Sequence, residues 1–210
     1  LVLEEAGRES SQRPALLDLE RAAEHCAELT RGLLTFARRT PVQPRPLDVE
    51  DLLHEVERML RAGLAGTIQL SVEVAPDVEP VFADPTELKQ VVFNLAVNAQ
   101  DALEGHGNLA LRAGNREVES HEALEGSDAR PGRYVEITVQ DDGPGIAAEV
   151  LERIFDPFFT TKVVGKGTGL GLAIAYGVVR SHGGWLEVES EPGSGSVFRA
   201  LIPTARERPR

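Results

Sequence analysis

Asn94, Asn98 and Asp101 recur at i, i+4 and i+7 in the run Asn94-Leu-Ala-Val-Asn98-Ala-Gln-Asp101. On a helix of about 3.6 residues per turn they share one side with Glu87 and Gln90. Leu88, Val92, Leu95, Ala99 and Leu103 fall on the opposite, core-facing side. Two amides and a carboxylate converging from one helix face suit a magnesium ion, which prefers hard oxygen ligands and keeps several of its waters. Taken alone, the stripe also reads as an ordinary solvent-facing helix side.

Three further runs follow in order. Asp141-Asp-Gly143-Pro-Gly145-Ile146 sits after a strand-like segment, where an acceptor at the strand end can meet a donor such as the exocyclic amino group of adenine. An Asp-Gly turn is the plain alternative. Phe155, Phe158 and Phe159 are three of only seven phenylalanines and precede Thr160-Thr161-Lys162. They suggest an aromatic anchor for a mobile lid whose lysine swings toward phosphates, or simply a satellite of the core. In Gly165-Lys-Gly167-Thr168-Gly169-Leu170-Gly171 the glycines alternate into the entrance of a helix predicted over about 168–182. Backbone without side chains approaches an anion closely, and a helix N-terminus attracts negative charge. The spacing fits neither the dinucleotide fingerprint nor a Walker loop, and a flexible hinge is the alternative. Gly193-Ser-Gly195-Ser reads as a hairpin turn.

The elements needed to hold these runs are legible nearby. Asp84 caps the helix of the polar stripe, with Pro85 at its first position and Glu87 three residues beyond the cap. An earlier helix begins at Asp48, with Asp51 at the reciprocal cap position and Leu47 set to staple onto Leu52, and is expected to bury Leu52, Leu53, Val56, Met59 and Leu60. Strands are expected over 68–74, 81–83, 108–113, 134–140, 185–190 and 197–202. The Gly-, Ser- and Pro-rich stretch 114–132 reads as an exposed excursion. Interleaved helices and tight turns predict a two-layer α/β sandwich with a mixed, mostly antiparallel sheet, an α+β domain over 48–204.

Upstream, Leu19, Ala22, Cys26, Leu29, Leu33 and Phe36 form a heptad seam, and Leu1–Ala6 closed by Gly7 reads as the end of a preceding helix. Residues 1–40 are therefore expected to form part of a helical hairpin. Pro41, Pro44 and Pro46 make 41–47 a linker, and 205–210 a tail.

Composition narrows the function. The chain has 210 residues, 41% of them hydrophobic, with a net charge of −12. That balance argues against a nucleic-acid partner, since phosphate contacts need clustered Lys and Arg. No apolar run approaches the ~20 residues of a membrane span. The lone Cys26 fits a reducing, cytoplasmic setting. Because the chain starts at Leu1 rather than Met, a piece of a longer protein is expected.

The ordered set resembles the sensor histidine kinases, of the nitrogen-regulator type, within the superfamily shared with gyrase and mismatch-repair ATPases. The resemblance implies the Bergerat-type ATP-binding fold, with ATP and Mg2+ as cofactors. It implies Asn98 as the magnesium ligand and Asn94 and Lys162 in catalytic roles at the polyphosphate. Asp141 would take the adenine amino group, with Gly143, Gly145 and Ile146 shaping its pocket. Asp101, Phe155, Thr161, Gly167, Thr168, Gly169, Leu170 and Gly171 would complete the nucleotide site. The heptad segment is similar to the second helix of a dimerisation bundle, so a homodimeric parent and a response-regulator receiver domain are the implied partners.

One departure stands out. The family's acceptor histidine lies in a His-Glu-x-x-x-Pro context that this sequence lacks, and His25 is followed by Cys-Ala-Glu. The acceptor is expected upstream of Leu1, leaving a chain that binds ATP without phosphorylating itself. Two rival readings differ in kind. A gyrase-like ATPase would carry a glutamate base where Asn94 stands, and a scaffold module would have a silent nucleotide site.

Overall fold

The computed structural model describes residues 43–64, 67–119, 130–162 and 167–205. The heptad seam, His25, Gly165 and the residues after 205 lie outside them. In chain order the elements are β1 (Arg45–Leu47), α1 (Val49–Arg61), β2 (Thr67–Val74), β3 (Val81–Ala83) and α2 (Pro85–Ala102). They continue with β4 (His106–Val118), β5 (Gly132–Asp141), α3 (Ala148–Leu151), α4 (Gly171–Ser181), β6 (Trp185–Ser190) and β7 (Ser196–Pro203).

The main sheet has the order β2-β4-β5-β7-β6. Only β2 and β4 run parallel, so the sheet is mixed and mostly antiparallel, as the turn spacing predicts. Its inner face presents Leu109 and Leu111, Val135, Ile137 and Val139, and Phe198, Ala200 and Ile202. Helices α1, α2 and α4 cover them, with α2 between the other two. Alternation then sends polar residues outward. There Arg116 bridges Glu136 and Glu187, and Arg199 pairs with Glu189. At one end of this outer face Val118, Tyr134 and Leu201 are buried together, Tyr134 meeting Trp185 edge-on at 4.6 Å.

Three expectations need correction. Residues Arg45–Leu47 of the expected linker form a strand paired antiparallel with β3. Prolines are compatible with such an edge position because an outward-facing residue needs no ladder donor. Met59 is 45% exposed rather than buried, since Leu60 takes the core position one turn after Val56. The excursion expected from Gly114 starts later, because β4 continues to Val118, pairing Arg116 with Tyr134 and Val118 with Gly132. Polar side chains there alternate between the two faces without interrupting the ladder, Asn115 Nδ2 donating to Asp77 O at 2.7 Å and Arg116 pairing with Glu136 on the open face.

Asp84 caps α2 as expected, its Oδ1 accepting from Thr86 N at 2.9 Å and Glu87 N at 3.3 Å. Its Oδ2 accepts from Gln43 N at 3.0 Å, tying the segment before β1 to the same cap. Burial pushes the Asp84 carboxyl up, but these three backbone donors outweigh it and hold it below the ordinary value. The capping-box return bond from Glu87 is replaced by a longer link. The Asp84 N–H donates to His182 Nε2 at 3.1 Å, while His182 Nδ1 donates to Val178 O at 2.9 Å. With one ring nitrogen accepting and the other donating, His182 is a neutral brace between the end of α4 and the start of α2. Its side chain is 3% exposed. His182→Ala is expected to lower stability by about 1–3 kcal/mol, the usual cost of stranding a buried N–H, read as a lower urea midpoint at unchanged slope.

Candidate nucleotide site

The site is a cavity of about 860 Å³ between α2, the end of β5 and the start of α4. That volume suits a ligand of nucleotide size. Of the residues singled out from sequence, Asn94, Asn98, Asp101, Asp141, Gly145 and Ile146 line it, as do Thr161, Lys162 and 167–171. Gly143 and Phe155 stand outside the lining.

Asn94 and Asn98 are half-buried because α4 begins directly opposite them. Asn94 Nδ2 donates to Gly171 O at 3.1 Å, and a Cβ on Gly171 would lie 3.8 Å from Asn98 Nδ2. The predicted helix starts three residues late, at Gly171. Before it, Gly169 takes φ +65° and Leu170 N donates to Thr168 Oγ1 at 3.3 Å. This turn brings the first turn of α4 against the polar side of α2, and a helix N-terminus favours an anion.

Asp141 closes the other end. It is 4% exposed, at the inner face of β5's last position. Its Oδ1 accepts from Gly143 N at 2.9 Å, so Gly143 acts on the carboxylate rather than on the cavity wall. Burial raises the Asp141 carboxyl above its ordinary value; backbone donors from Gly143 and Ser196 oppose this, and neighbouring Asp142 adds to it. Asp142 itself is held low, its oxygens accepting from Asn108 N at 2.7 Å and Asn108 Nδ2 at 2.6 Å. This clamp fastens the turn to the first residues of β4.

The three phenylalanines do not form the expected single cluster. Phe155 stacks on Tyr176 of α4 with centroids 5.1 Å apart. Phe159 lines the cavity beneath the Arg153 guanidinium, 4.4 Å from the ring centre. Phe158 is 56% exposed at φ +68°. Its N–H donates to Gly169 O at 2.9 Å, joining the phenylalanine run to the glycine turn through backbone. Lys162 reaches Asp101 Oδ2 at 2.6 Å and Asn98 Oδ1 at 3.3 Å.

Sequence reasoning missed the apolar wall of Val150, Ile154, Ile174 and Phe198. From its residues the hairpin reads only as a turn, although Gly193-Ser-Gly195-Ser resembles the last glycine motif of the histidine kinases. The spacing of Ile146, Val150 and Ile154 was a usable signal, four residues apart into a short helix. Ser190 gave none. Its Oγ accepts from Ile146 N at 2.8 Å and donates to Gly195 O at 2.8 Å, while Gly193 N donates to Pro144 O at 2.7 Å. The β6–β7 hairpin is thus interlocked with the Asp141–Ile146 turn.

The chain is similar to known proteins in sequence and fold. Residues 83–206 match the family described as histidine kinase-, DNA gyrase B-, and HSP90-like ATPase. The chain is similar to the sensor kinase CckA of Brucella abortus (strain 2308), at 42% identity over 94% of this chain and 21% of that protein. It is 34% identical to the sensory histidine kinase/phosphatase NtrB of Rhizobium meliloti (strain 1021), over 81% of this chain and 44% of that one. Among solved structures, full-length ShkA in complex with AMPPNP superposes with a TM-score of 0.72 at 30% identity, covering 97% of this chain and 41% of that one. The chain therefore spans less than half the length of each of these relatives.

Proposed function

This chain belongs to the histidine kinase-, DNA gyrase B-, and HSP90-like ATPase family, on its sensor histidine kinase branch, and from that premise we propose that it is the ATP-binding catalytic portion of such a kinase. The parent protein moves the γ-phosphoryl of ATP to a histidine of a helical bundle, for relay to a response-regulator aspartate.

The observation that carries this is the facing of α2's Asn94–Asn98–Asp101 side and α4's N-terminus across one cavity, with Asp141 at its far end. Phosphoryl transfer asks a protein mainly for positioning and charge neutralisation, which is what this arrangement supplies. Asp141 accepts from the adenine amino group, Ile146, Ile154 and Phe198 enclose the base, and the α4 N–H groups receive the phosphates. Magnesium fits the donor set, because Asn98 Oδ1 and Asp101 Oδ2 already converge on one cationic atom, the Lys162 ammonium. Bound there, a magnesium ion supplies neutralisation of the β- and γ-phosphate charge. Asn94 holds α4 against α2 and carries no basic group to activate water, in keeping with transfer to an imidazole rather than rapid hydrolysis.

We place the domain at 48–204, joined by the β1 strand before it, with dimerisation through the bundle and a receiver domain as partner. Among the described residues no helix is long and apolar enough to cross a membrane. Calorimetry tests the reading. ATP with Mg2+ is expected to bind, and Asn98→Ala to lose about tenfold of the magnesium-dependent affinity, leaving magnesium-free binding near wild type. No heat at millimolar ATP would instead make the chain a scaffold with a silent site.

A further inference from the structure

The Lys162 ammonium lies on the same oxygens that α2 offers a divalent ion, 2.6 Å from Asp101 Oδ2 and 3.3 Å from Asn98 Oδ1. The contact is built rather than incidental. Lys162 N donates to Thr160 Oγ1 at 3.1 Å, setting the turn from which the side chain leaves. The lysine stem then runs close to Gly167, where a Cβ would come within 3.1 Å of Lys162 Cδ. A side chain at 167 would crowd that path, so glycine keeps it open.

We infer that Lys162 and the divalent cation are alternative occupants of the Asn98–Asp101 oxygens, and that Asp101 is a positioning residue for Lys162, holding it until the metal displaces it. This rests on the nucleotide reading above. The physical reason is that two cations cannot share one pair of oxygens without mutual repulsion, which is strong at close range and away from bulk water. A magnesium ion also requires a near-octahedral shell that tolerates no ammonium among its ligands. Lysine is suited to such a hand-over, being a compact charge on a flexible stem rather than a rigid fork. Displaced from Asp101, the ammonium remains inside the cavity, between α2 and the first turn of α4, where the phosphates are placed. One residue thus guards the metal oxygens first and neutralises phosphate afterwards. Arrival of the metal sets the order.

The test is titration of Mg2+ into the protein saturated with ADP, followed by calorimetry, for wild type, Lys162→Met and Lys162→Arg. ADP avoids turnover, and the one-third exposure of the Lys162 side chain allows both replacements without opening the core. Lys162→Met removes the competing charge and is expected to bind Mg2+ about tenfold more tightly than wild type, the scale of a charge–charge term in a partly hydrated site. Lys162→Arg keeps the charge and holds the carboxylate with a fork, and is expected to bind Mg2+ no more tightly than wild type. A Met variant that binds ADP but takes up Mg2+ no more tightly than wild type overturns the inference and leaves the nucleotide site standing. A wild-type protein that binds no ADP overturns both.

Discussion

Asp141→Asn is expected to weaken ATP binding by about 10- to 100-fold while raising the melting temperature at neutral pH, an opposition that a merely structural carboxylate would not produce. The shape of the side chain is unchanged, so the effect isolates its chemistry. In the native protein the two oxygens serve the Gly143 and Ser196 N–H groups and the cavity. An amide replaces one acceptor by a donor, which then faces either a backbone N–H or, in the function proposed for the site, the adenine amino group. Stability moves the other way. Burial raises the Asp141 carboxyl, so the folded state holds its proton to higher pH than the unfolded chain does. The contribution of this group to stability is therefore full below the usual carboxylate range and is lost as pH climbs through the raised value. Asparagine never carries that charge and escapes the loss. Binding has the reverse dependence in the wild type, falling as pH drops from about 7 toward the raised carboxyl value, because protonation removes an acceptor. Calorimetry for ATP and thermal melts across that range, on both proteins, measure both trends. Unchanged affinity in the variant would remove Asp141 from the base pocket.

Much of this site was legible because its determinants are local. The Asp84 cap, Pro85 and the alternation of polar and apolar residues from Glu87 to Leu103 lie within one helix, and the structure forms that helix over Pro85–Ala102. Strand β6 and the short β3 have the bounds the pattern predicts, since turn residues flank both. What the sequence concealed is pairing at a distance. Nothing near Asp84 shows that its N–H will be taken by His182, and nothing in Pro44-Arg-Pro46 advertises an edge strand. The landing of Lys162 on Asp101 depends equally on a fold that brings residues 61 positions apart together. Helix periodicity correctly put Asp101 on the polar side, but assigning it to a lysine rather than to the metal alone required coordinates.

The Gly193-Ser-Gly195-Ser hairpin is the sharpest case, because as a turn it asks only that its glycines tolerate positive φ. Gly193 and Gly195 both do so, at φ +84° and +80°. Their surroundings differ. A Cβ on Gly193 meets nothing within 4 Å, whereas one on Gly195 would strike the Asp141 carbonyl group, with Asp142 Cα 2.9 Å away. Gly145 makes the reciprocal approach, its Cβ position 2.7 Å from the Glu191 carbonyl carbon. Backbone meets backbone on both sides, so neither clash is relieved by a rotamer change. Gly193→Ala is expected to cost only the strain of left-handed backbone, about 1 kcal/mol. Gly195→Ala adds forced displacement of the strand end that carries Asp141, and is expected to cost more than about 3 kcal/mol. Nucleotide affinity should fall with it in whatever protein remains folded, because Asp141 and Ser196 move together. Urea unfolding and ATP titration of the two variants side by side separate the contributions. Equal midpoints would mean that the hairpin is only a turn; unequal midpoints, with affinity lost in Gly195→Ala alone, make it the wall against which the base pocket is set.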